Sequence, residues 1–467
     1  MRSLIRTLAE EIAAGGGRAY YVGGCVRDRL LGLPSLDLDI EVYGLPLAAL
    51  EALLARHGRV QAVGRTFGIL KFRARRGGEA DFGLPRRESL SGRGHRGFTV
   101  DLDPSITPRE ACARRDFTVN AMLEDVLTGE VHDFFGGRAD LAARRLRHTS
   151  PAFSEDPLRV YRLMQLGARY ALDPAPETLA LCREMDLGAL APERVYAEFE
   201  KLLLLAAAPS RGLAVARAAG VLAFHPELAA MIGCPQDPDW HPEGDVWTHT
   251  LLVVDAAARL RTGDRRLDLA LMFGALCHDL GKPLTTHRKQ GRILSPGHTE
   301  AGEEPARRFL GRLTQDGELI EAVLRFVRLH LRPAEFYRVR EEIGDGAIRR
   351  LATEVNIVEL VLLARADHLG RTTADALAGE FPAGDWLLAK AAELAVEREA
   401  PAPLLMGRHL LEAGWQPGPA VGEAVNAAYE AQLEEAFVDL HGALVWLERW
   451  LAERPSRRSP WRRDGDI

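Results

Sequence analysis

The spacing of apolar residues divides the chain into a mixed front part and a helical remainder. Residues 18–145 alternate short β-rich runs (RAYYVGG, LDLDIEVYG, GILKFRA, NAMLEDV) with helix-like runs such as LAALEALLARHG. From Pro157 onward the periodicity is helical, as in PLRVYRLMQLGARYAL, PERVYAEFEKLLLLAAA and DVWTHTLLVVDAAARL. The pattern predicts an α+β multidomain protein in which a mixed αβ head precedes all-α domains.

Breaks rich in proline and glycine suggest where these domains meet. They fall near 231–245 and 380–403. Together with the change of periodicity they predict four units: a head at 1–145, a helical neck at 146–232, a histidine-rich helical domain at 233–385 and a helical tail at 386–467.

Composition favours a cytoplasmic protein with no membrane partner. No apolar run approaches the ~18 residues that a membrane span needs. The N-terminal run MRSLIRTLAEEIAAGGG carries Glu10 and Glu11 in an amphipathic helical pattern, unlike a secretory signal. Five scattered cysteines form no CxxC pair, which indicates free thiols in a reducing compartment.

The charge is unevenly distributed although the net value is only −6. Residues 1–150 contain 23 Lys and Arg against 19 Asp and Glu, and the remainder contains 37 against 47. A polyanion would therefore prefer the front of the molecule. Ordinary surface charge explains the same distribution, so the signal is weak.

A pair of acidic residues in the head is the first candidate for catalysis. Asp37 and Asp39 are two apart in a β-rich run, and alternate strand residues point to one face. Hard divalent ions such as Mg²⁺ are bound by one or two carboxylates together with substrate phosphates. Upstream, the Gly23-Gly24 pair would let backbone N–H groups approach a triphosphate, and Arg27 at a helix start suits phosphate binding.

With these residues the chain resembles the nucleotidyltransferase superfamily, in the branch of bacterial CCA-adding enzymes and poly(A) polymerases. The resemblance continues in order along about 200 residues. ARRDFTVNAM looks like that branch's ribose-recognition motif, with Arg115 and Asp116 as its polar members. DFFGGRADL, EDPLRVYR and PERVYAEF look like its hinge, nucleotide-selecting and neck-stabilising motifs. The resemblance implies catalytic Asp37 and Asp39 with Mg²⁺, and tRNA, CTP and ATP as partners.

The run EDPLRVYR also supports an argument from its residues. Pro157 suits a first helical turn, and Asp156, Arg159 and Arg162 then lie three apart on one side. Cytosine and adenine both present an amine donor beside a ring-nitrogen acceptor, whereas uracil and guanine present the reverse. A carboxylate from Asp156 and a guanidinium from Arg159 would accept C and A, while Arg162 would meet ribose or phosphate.

Two details of the head remained open. Residues 80–104 are rich in Gly and Arg, and in the family this region helps switch the site from C to A addition; Asp81 is a candidate third carboxylate there, or an exposed strand residue. Many relatives have Arg-Phe-Ala after the second arginine of the selecting helix, where this chain has Gln165-Leu166-Gly167. That departure affects the fine detail of nucleotide choice.

Histidines are concentrated in the third unit. Seven of the 14 lie between 241 and 368, and the order His249, His278-Asp279, Asp367 resembles the HD phosphohydrolase superfamily. The resemblance implies a metal site on His249, His278, Asp279 and Asp367. Imidazole and carboxylate suit a divalent transition metal such as Ni or Mn, or Mg²⁺, and the sequence does not choose.

Other residues of the third unit follow from the same resemblance. His298 and His330 fall where some HD relatives carry extra ligands, and Lys282 could meet a substrate phosphate. Relatives with this organisation have cyclic phosphodiesterase, 2′-nucleotidase and phosphatase activities, which implies trimming or repair of tRNA 3′ ends. The tail run from 403 to 435 resembles the last helical domain of relatives, where it holds the elbow side of the tRNA.

The motifs and the resemblance therefore predict an enzyme that adds C, C and A to the 3′ end of tRNA without a nucleic-acid template, releasing pyrophosphate, with a second phosphohydrolase activity. One alternative is a poly(A) polymerase or an enzyme that adds only CC or only A, because relatives of the same branch share these motifs. Another is a phosphohydrolase or RNA-binding protein with an inactive head. The oligomeric state, monomer or homodimer, stays open.

Overall fold

The computed structural model describes residues 1–34, 37–63, 68–75, 77–90, 98–102 and 106–453, with the side chains of 63, 86–90 and 98–102 left out. Part of the predicted switching segment, 91–97 and 103–105, therefore lies outside the described residues. The chain forms two compact units, one of residues 1–229 with 309–315 and one of 230–308 with 316–467. The finer division into four domains stays a prediction.

Four of the described strands, Arg18–Val22, Asp39–Tyr43, Ile69–Ala74 and Met122–Asp125, lie within the β-rich runs of the sequence. The others lie outside those runs, and the hairpin of His287–Lys289 and Arg292–Leu294 falls in the part predicted to be all-helical. Seven form one sheet in the order β3-β4-β5-β2-β1-β8-β9, in which only β2 and β5 run parallel. Three short two-stranded pairs complete the described strands. In chain order the strands are β1 Arg18–Val22, β2 Asp39–Tyr43, β3 Gly58–Val63, β4 Ile69–Ala74, β5 Glu79–Gly83, β6 Arg86–Leu90, β7 Phe98–Leu102, β8 Met122–Asp125, β9 Val131–Asp133, β10 Arg145–Leu146, β11 Asp173–Pro174, β12 His287–Lys289 and β13 Arg292–Leu294.

Helices account for most of the remaining described chain, which confirms the predicted change from a mixed head to a helical body. In chain order they are α1 Arg2–Ala14, α2 Gly24–Leu30, α3 Leu47–Ala55, α4 Pro108–Ala113, α5 Gly137–Ala142, α6 Leu158–Arg169, α7 Pro176–Arg183, α8 Pro192–Leu205, α9 Pro209–Ala218, α10 Pro226–Ala230, α11 Val246–Arg259, α12 Arg265–Cys277, α13 Lys282–Thr285, α14 His298–Ala301, α15 Glu303–Gly311, α16 Gly317–Leu329, α17 Arg332–Arg338, α18 Asp345–Glu354, α19 Ile357–Leu369, α20 Ala374–Ala378, α21 Pro382–Glu393, α22 Gly407–Glu412, α23 Pro419–Leu433 and α24 Leu440–Ala452.

One face of the seven-stranded sheet is covered by α1 and α3. Ile5, Leu8 and Ile12 recur at helical spacing on α1 and are buried against alternate residues of β2, β4 and β5, such as Phe72 and Phe82. Side chains alternate between the two faces of a strand, so Asp39 and Asp81, which neighbour the buried Ile40 and Phe82, point to the opposite face of the sheet. Core packing of one sheet face therefore fixes where those carboxylates point.

The helix α6 forms the centre of the helical part of the first unit. It packs against α8 and α9, and Leu163 and Met164 are fully buried there. Arg159 and Arg162 lie on its half-buried side. This periodic burial places Arg159 and Arg162 on one side of α6, as the spacing predicted, but Asp156 precedes the helix with extended backbone and does not belong to that row.

A bundle of α11, α12, α16 and α19 forms the core of the second unit. The helices α12 and α19 are buried along much of their length, because each carries apolar residues on almost every one of its sides. His278 directly follows α12, His330 directly follows α16, and Asp367 lies in the last turn of α19. Three helix ends therefore meet at one place within this unit.

The last helices, α22 to α24, enclose a separate apolar cluster that includes Leu410, Trp415 and Leu447. All five cysteines are buried and free, as the sequence predicted. Within the described residues, no helix combines the length and the apolar character that crossing a bilayer requires.

Candidate nucleotide and metal sites

The predicted strand around the acidic pair is shorter than expected, because β2 begins at Asp39 and Asp37 precedes it. The carboxylate that the sheet places beside Asp39 is Asp81, its register partner on the parallel strand β5. Desolvation raises the pKa of Asp39, and the charges of Asp81 and Asp37 raise it further against the opposing effect of Arg115. The negative charges of Asp81 and Asp37 thus act on Asp39, and a divalent cation bound there would offset this repulsion.

A cavity of about 730 Å³ opens at Asp39 and Asp81 within the first unit. Its lining includes Asp39, Arg115, Asp156, Arg159 and Arg162, which the sequence selected for catalysis or nucleotide binding, and also Asp81, Asp116 and Arg194, whereas Asp37 does not line it. A second cavity of about 300 Å³ shares Asp39, Arg115, Asp116 and Arg162 with it, and its further lining includes Gly23, Gly24, Arg27, Gln165, Arg169 and Lys201. Asp39 thus borders both cavities.

The glycine turn before α2 is shaped by its backbone. Gly23 has φ of 68° and ψ of −128°, which L side chains rarely adopt. A Cβ atom there would also lie 3.0 Å from Nη1 of Arg115. Gly23 therefore keeps the turn close to the floor of the second cavity, where the sequence predicted triphosphate binding.

Arg27 is more deeply placed than a phosphate ligand on the surface would be. It is buried, donates to Oδ1 of Asn120 at 2.6 Å and to Oδ1 of Asp28 at 2.6 and 2.9 Å, and covers the ring of Tyr170 at 3.9 Å. These contacts bind α2 to the 118–120 turn and to the end of α6. No pattern in the sequence indicated this network, which positions the glycine turn from behind.

The selecting residues are held by their neighbours before any base arrives. Oδ2 of Asp156 accepts from Arg194 at 2.8 Å. Arg159 donates to the carbonyl oxygens of Ala152 at 2.8 Å and Arg114 at 2.7 Å. Because both side chains line the larger cavity, their hydrogen-bonding edges are preoriented there.

Arg162 does not stand alone as a ligand for ribose or phosphate. Its Nη2 lies 2.7 Å from Oδ2 of Asp116, and its Nη1 lies 3.9 Å from Oε1 of Glu198. Arg115, in turn, donates to Oε2 of Glu41 at 2.9 Å. The carboxylates of Glu41, Asp116 and Glu198 thus fix the directions of the two arginines that separate the cavities.

In the second unit the predicted histidines and aspartates converge. Nε2 of His249 lies 3.0 Å from Oδ1 of Asp367, and Nε2 of His278 lies 3.2 Å from Oδ2 of Asp279. These four residues are buried, with Asp367 the most exposed at 5%. His298 and His330 form a further group with Asp279, whose Oδ1 lies 3.4 Å from Nε2 of His298.

The hydrogen bonds of the imidazoles decide which nitrogen faces the cluster. Nδ1 of His278, His298 and His330 each lies within 2.8 to 2.9 Å of a carbonyl oxygen three residues earlier. A carbonyl only accepts, so each Nδ1 carries the proton and each Nε2 presents a lone pair. The buried Nε2 atoms of His278 and His298 and Oδ1 of Asp279 have no hydrogen-bond partner, which is the state expected of metal ligands.

Glu243 completes this arrangement, and the sequence reasoning missed it. Its Oε1 lies 2.8 Å from Nδ1 of His249 and 2.9 Å from Nδ1 of His241. A carboxylate behind a ligating histidine fixes the ring and leaves Nε2 for the metal. The only signal in the sequence was the acidic residue six positions before His249, inside HPEGDVWTHT.

The ionic environment of Asp279 favours its carboxylate form. Burial alone would raise the pKa of Asp279, but His278 and Lys282 lower it well below its ordinary value. Nζ of Lys282 lies 2.7 Å from Oδ2 of Asp279 and donates to Oε1 of Gln236 at 2.7 Å. The residues present therefore fit a divalent cation, since they offer inward lone pairs and buried anionic oxygens.

Comparison with known proteins gives these sites a family. The Poly A polymerase head domain matches residues 19–147, and the HD domain matches residues 246–372. The multifunctional CCA protein of Xanthomonas campestris pv. campestris strain B100 is 38% identical over 434 residues, which cover 90% of this chain and 98% of that protein. The multifunctional CCA protein of Halorhodospira halophila is 38% identical over 421 residues, 88% of this chain and 94% of that one.

The chain belongs to the multifunctional CCA protein family. It is accordingly a tRNA nucleotidyltransferase with an HD domain, as the sequence predicted. The fold agrees with solved CCA-adding enzymes. The Bacillus stearothermophilus CCA-adding enzyme in complex with CTP superimposes with a TM-score of 0.65 at 23% identity, covering 96% of this chain and 97% of that one. The Thermotoga maritima CCA-adding enzyme complexed with tRNA gives a TM-score of 0.58 at 19% identity, covering 96% and 95%.

Proposed function

We propose that the head of this multifunctional CCA protein joins CMP, CMP and AMP to the 3′ end of tRNA at Asp39. The observation that carries the proposal is the position of Asp39, which borders both cavities beside Asp81 and Arg115. The 3′ hydroxyl of the tRNA attacks the α-phosphate of CTP or ATP, and pyrophosphate leaves. Bound Mg²⁺ would stabilise the charges that develop on the attacking and leaving oxygens.

The two cavities divide the nucleotide between them. The smaller one presents Gly24 and the cationic side chains of Arg169 and Lys201, which suit the triphosphate. The larger one presents Asp156 and Arg159, which suit the base. Asp37, just before the strand, and Asp81, beside Asp39, are the further carboxylates of the Mg²⁺ site.

Base selection follows from the fixed direction of two side chains. Asp156 accepts the exocyclic amine of cytosine or adenine, and Arg159 donates to the adjacent ring nitrogen. Uracil and guanine would place a carbonyl oxygen against the carboxylate and an N–H against the guanidinium. The hydrogen bonds from Arg194 to Asp156 and from Arg159 to two carbonyls keep this pattern rigid without a template strand.

Product length distinguishes this activity from that of same-branch relatives. The purified protein would be incubated with a tRNA transcript ending at position 73 and with CTP and ATP, separately and together. The proposal predicts two added nucleotides with CTP alone and three with both. A lengthening A tract would indicate a poly(A) polymerase, and a stop after CC or after A would indicate a partial enzyme.

The HD domain supports a second activity, phosphoester hydrolysis at tRNA 3′ ends. The supporting observation is the buried cluster of His249, His278, Asp279 and Asp367, in which Nε2 of His278 and both carboxylate oxygens of Asp279 have no hydrogen-bond partner. A divalent transition ion such as Ni²⁺ or Mn²⁺, or Mg²⁺, would supply the Lewis acid there. Lys282 and Arg371 line a cavity of about 190 Å³ together with Asp279, His298, His330 and Asp367, and they would bind the phosphate oxygens. Release of phosphate from a 2′-phosphomonoester by the wild type, and its loss in His278→Ala, tests this activity.

A further inference from the structure

The HD cavity joins a polar floor to an apolar rim. Its floor is formed by the buried residues Asp279, Lys282, His330 and Asp367. Its rim carries the indole of Trp240, which is 51% exposed although tryptophan is among the most apolar side chains. Such a contrast matches a ligand with a charged end and a flat apolar end.

The turn that carries Trp240 is held in place from several sides. The backbone N–H groups of Trp240 and His241 donate to the carbonyl oxygen of Asp237 at 3.1 and 2.9 Å. The side chain of Asp237 accepts from the N–H of Asp239 at 3.1 Å and from Nε of Arg292 at 3.3 Å. The indole is therefore presented on an ordered turn that is linked to the β12–β13 hairpin.

The hairpin supplies further apolar surface to the same cavity. Ile293 is half-buried and Leu294 is 37% exposed, and both line it together with Trp240. At the polar end, Nε of Arg371 is buried without a hydrogen-bond partner while its Nη2 lies 3.5 Å from Oδ2 of Asp367. Arg371 lines the cavity, so its guanidinium adds a positive charge that suits an anionic group of a ligand.

The cavity is too small to enclose a whole small-molecule ligand. Its volume is about 190 Å³, below the ~300–1,000 Å³ of pockets that enclose a small-molecule ligand. A phosphate bound at Lys282 and Arg371 would therefore leave the rest of its molecule at the rim, beside Trp240. Aromatic side chains in such positions stack on nucleobases of any sequence.

We propose that Trp240 is a stacking platform that makes the HD site select nucleoside phosphates over phosphate esters without a base. The proposal rests on the phosphohydrolase activity proposed above, which it deepens by naming what recognises the substrate beyond its phosphate. Arg371 binds the phosphate end, and Trp240 contacts the face of the terminal base. The residue acts on substrate binding.

Comparing two phosphomonoesters of secondary alcohols, one with a base and one without, distinguishes recognition of the base from recognition of the phosphate. Guanosine 2′-phosphate carries a base that the head is expected to reject, and glycerol 2-phosphate carries none. Hydrolysis of both would be followed with Mn²⁺ in the wild type, Trp240→Ala and Trp240→Phe. Leu284→Ala is the matched control, because Leu284 is 65% exposed on α13 and does not line the cavity.

The proposal predicts that Trp240→Ala lowers kcat/KM for guanosine 2′-phosphate by about 5- to 150-fold, corresponding to ~1–3 kcal/mol of stacking. The loss would lie mainly in KM, Trp240→Phe would retain most of the activity, and glycerol 2-phosphate would be hydrolysed as before. Equal losses on both esters would show a merely structural role, and no loss on either would show that the indole does not contact the base. Both results overturn the proposal.

Calorimetric binding keeps the test decisive if the wild type hydrolyses neither ester. In that case the proposed phosphohydrolase activity fails, but guanosine 2′-phosphate would still bind to the Mn²⁺-loaded protein more tightly than glycerol 2-phosphate. Trp240→Ala would remove most of that difference. Equal affinities of the wild type for the two esters would overturn the stacking proposal by itself.

Discussion

Asp39 and Asp81 occupy register-paired positions on the parallel strands β2 and β5 and face the same cavity. Their side chains share a face because alternate residues of both strands, Ile40 and Phe82 among them, are buried against α1 and α3 on the other. The hydrophobic pattern of the head therefore sets the geometry of its acidic site. Asp81, which the sequence left undecided between a third carboxylate and an exposed strand residue, lies beside Asp39 in the lining of the same cavity, and its role as a third carboxylate stays a prediction.

The first prediction concerns Asp81. Replacing it with Asn keeps its volume but removes one of the charges around the divalent ions, so nucleotide addition is expected to fall by at least tenfold, with a higher Mg²⁺ requirement. Glu79→Gln is the matched control, since Glu79 lies two residues earlier on β5 and is exposed. The steady-state rate of CMP addition, measured over a Mg²⁺ titration, gives both the activity and the Mg²⁺ requirement of each variant. Equal rates of Asp81→Asn and wild type at all Mg²⁺ concentrations would exclude a role for Asp81.

The second prediction concerns base choice. Asp156→Ala removes the acceptor for the exocyclic amine and also leaves Arg194 without its ion pair at 2.8 Å. Incorporation of CTP and ATP is expected to fall by about tenfold or more, and the relative use of UTP and GTP is expected to rise. Competition assays with all four nucleotides measure the ratio. Arg194→Ala should reproduce part of the effect, because it leaves Asp156 in place but without its orienting partner.

If Asp156→Ala lowered the incorporation of all four nucleotides by the same factor, Asp156 would not recognise the base. Its contribution would then be structural, at the start of α6, where its Oδ1 accepts from the N–H of Leu158 at 3.1 Å.

The third prediction concerns Glu243. Its carboxylate orients His249, so Glu243→Gln is expected to weaken metal binding at the HD site by about 10- to 100-fold. Titration of the metal-free variant with Mn²⁺, followed by calorimetry, gives the change in affinity. Glu341→Gln is the control, because its side chain is 86% exposed. Nucleotide addition by the head would be unchanged, and an unchanged Mn²⁺ affinity would mean that Glu243 does not support the metal ligand.

The fourth prediction concerns the pH dependence of stability in the first unit. His225 is buried, its Nε2 lies 2.9 Å from the hydroxyl oxygen of Tyr161, and burial lowers its pKa to about 4. The unfolded chain then binds a proton at this residue below about pH 6.5 while the folded one does not, so its contribution to stability is complete above that pH and is lost as the pH falls toward 4. At most ~3 kcal/mol is involved.

The pH effect is measured as a difference between two proteins. The thermal midpoint of the wild type is expected to fall more steeply between pH 6.5 and 4 than that of His225→Gln, whose side chain does not titrate. Parallel midpoints over this range would show that His225 titrates alike in the folded and unfolded chain.

The elements of the head were predictable because burial imposes periodicity on them. The strands β1, β2, β4 and β8 and the helix α6 lie within the runs chosen for their pattern. The limits of β2 were harder to predict, because the residues LDLDI do not show that pairing with β5 begins at Asp39 and leaves Asp37 before the strand. Pairing across strands depends on tertiary structure, which a local pattern does not contain.

Residues that support the sites were harder to predict than residues that form them. His278-Asp279 and EDPLRVYR stand in recognisable spacings, whereas Glu41, Glu243 and Arg371 act through contacts that the fold creates. Arg371 follows Asp367 by one helical turn and could have been suspected from that spacing. Trp240 gave no signal at all, because only the structure shows that it lies at the rim of a metal cavity.

The most direct test of the central claim, that Asp39 is the carboxylate on which nucleotide transfer depends, is the product of Asp39→Asn on a tRNA transcript lacking CCA. With Mg²⁺, CTP and ATP, the wild type is expected to add three nucleotides. The variant is expected to add none above background, while it still hydrolyses guanosine 2′-phosphate at the HD site. Full-length CCA ends made by Asp39→Asn at the rate of the wild type would contradict the account.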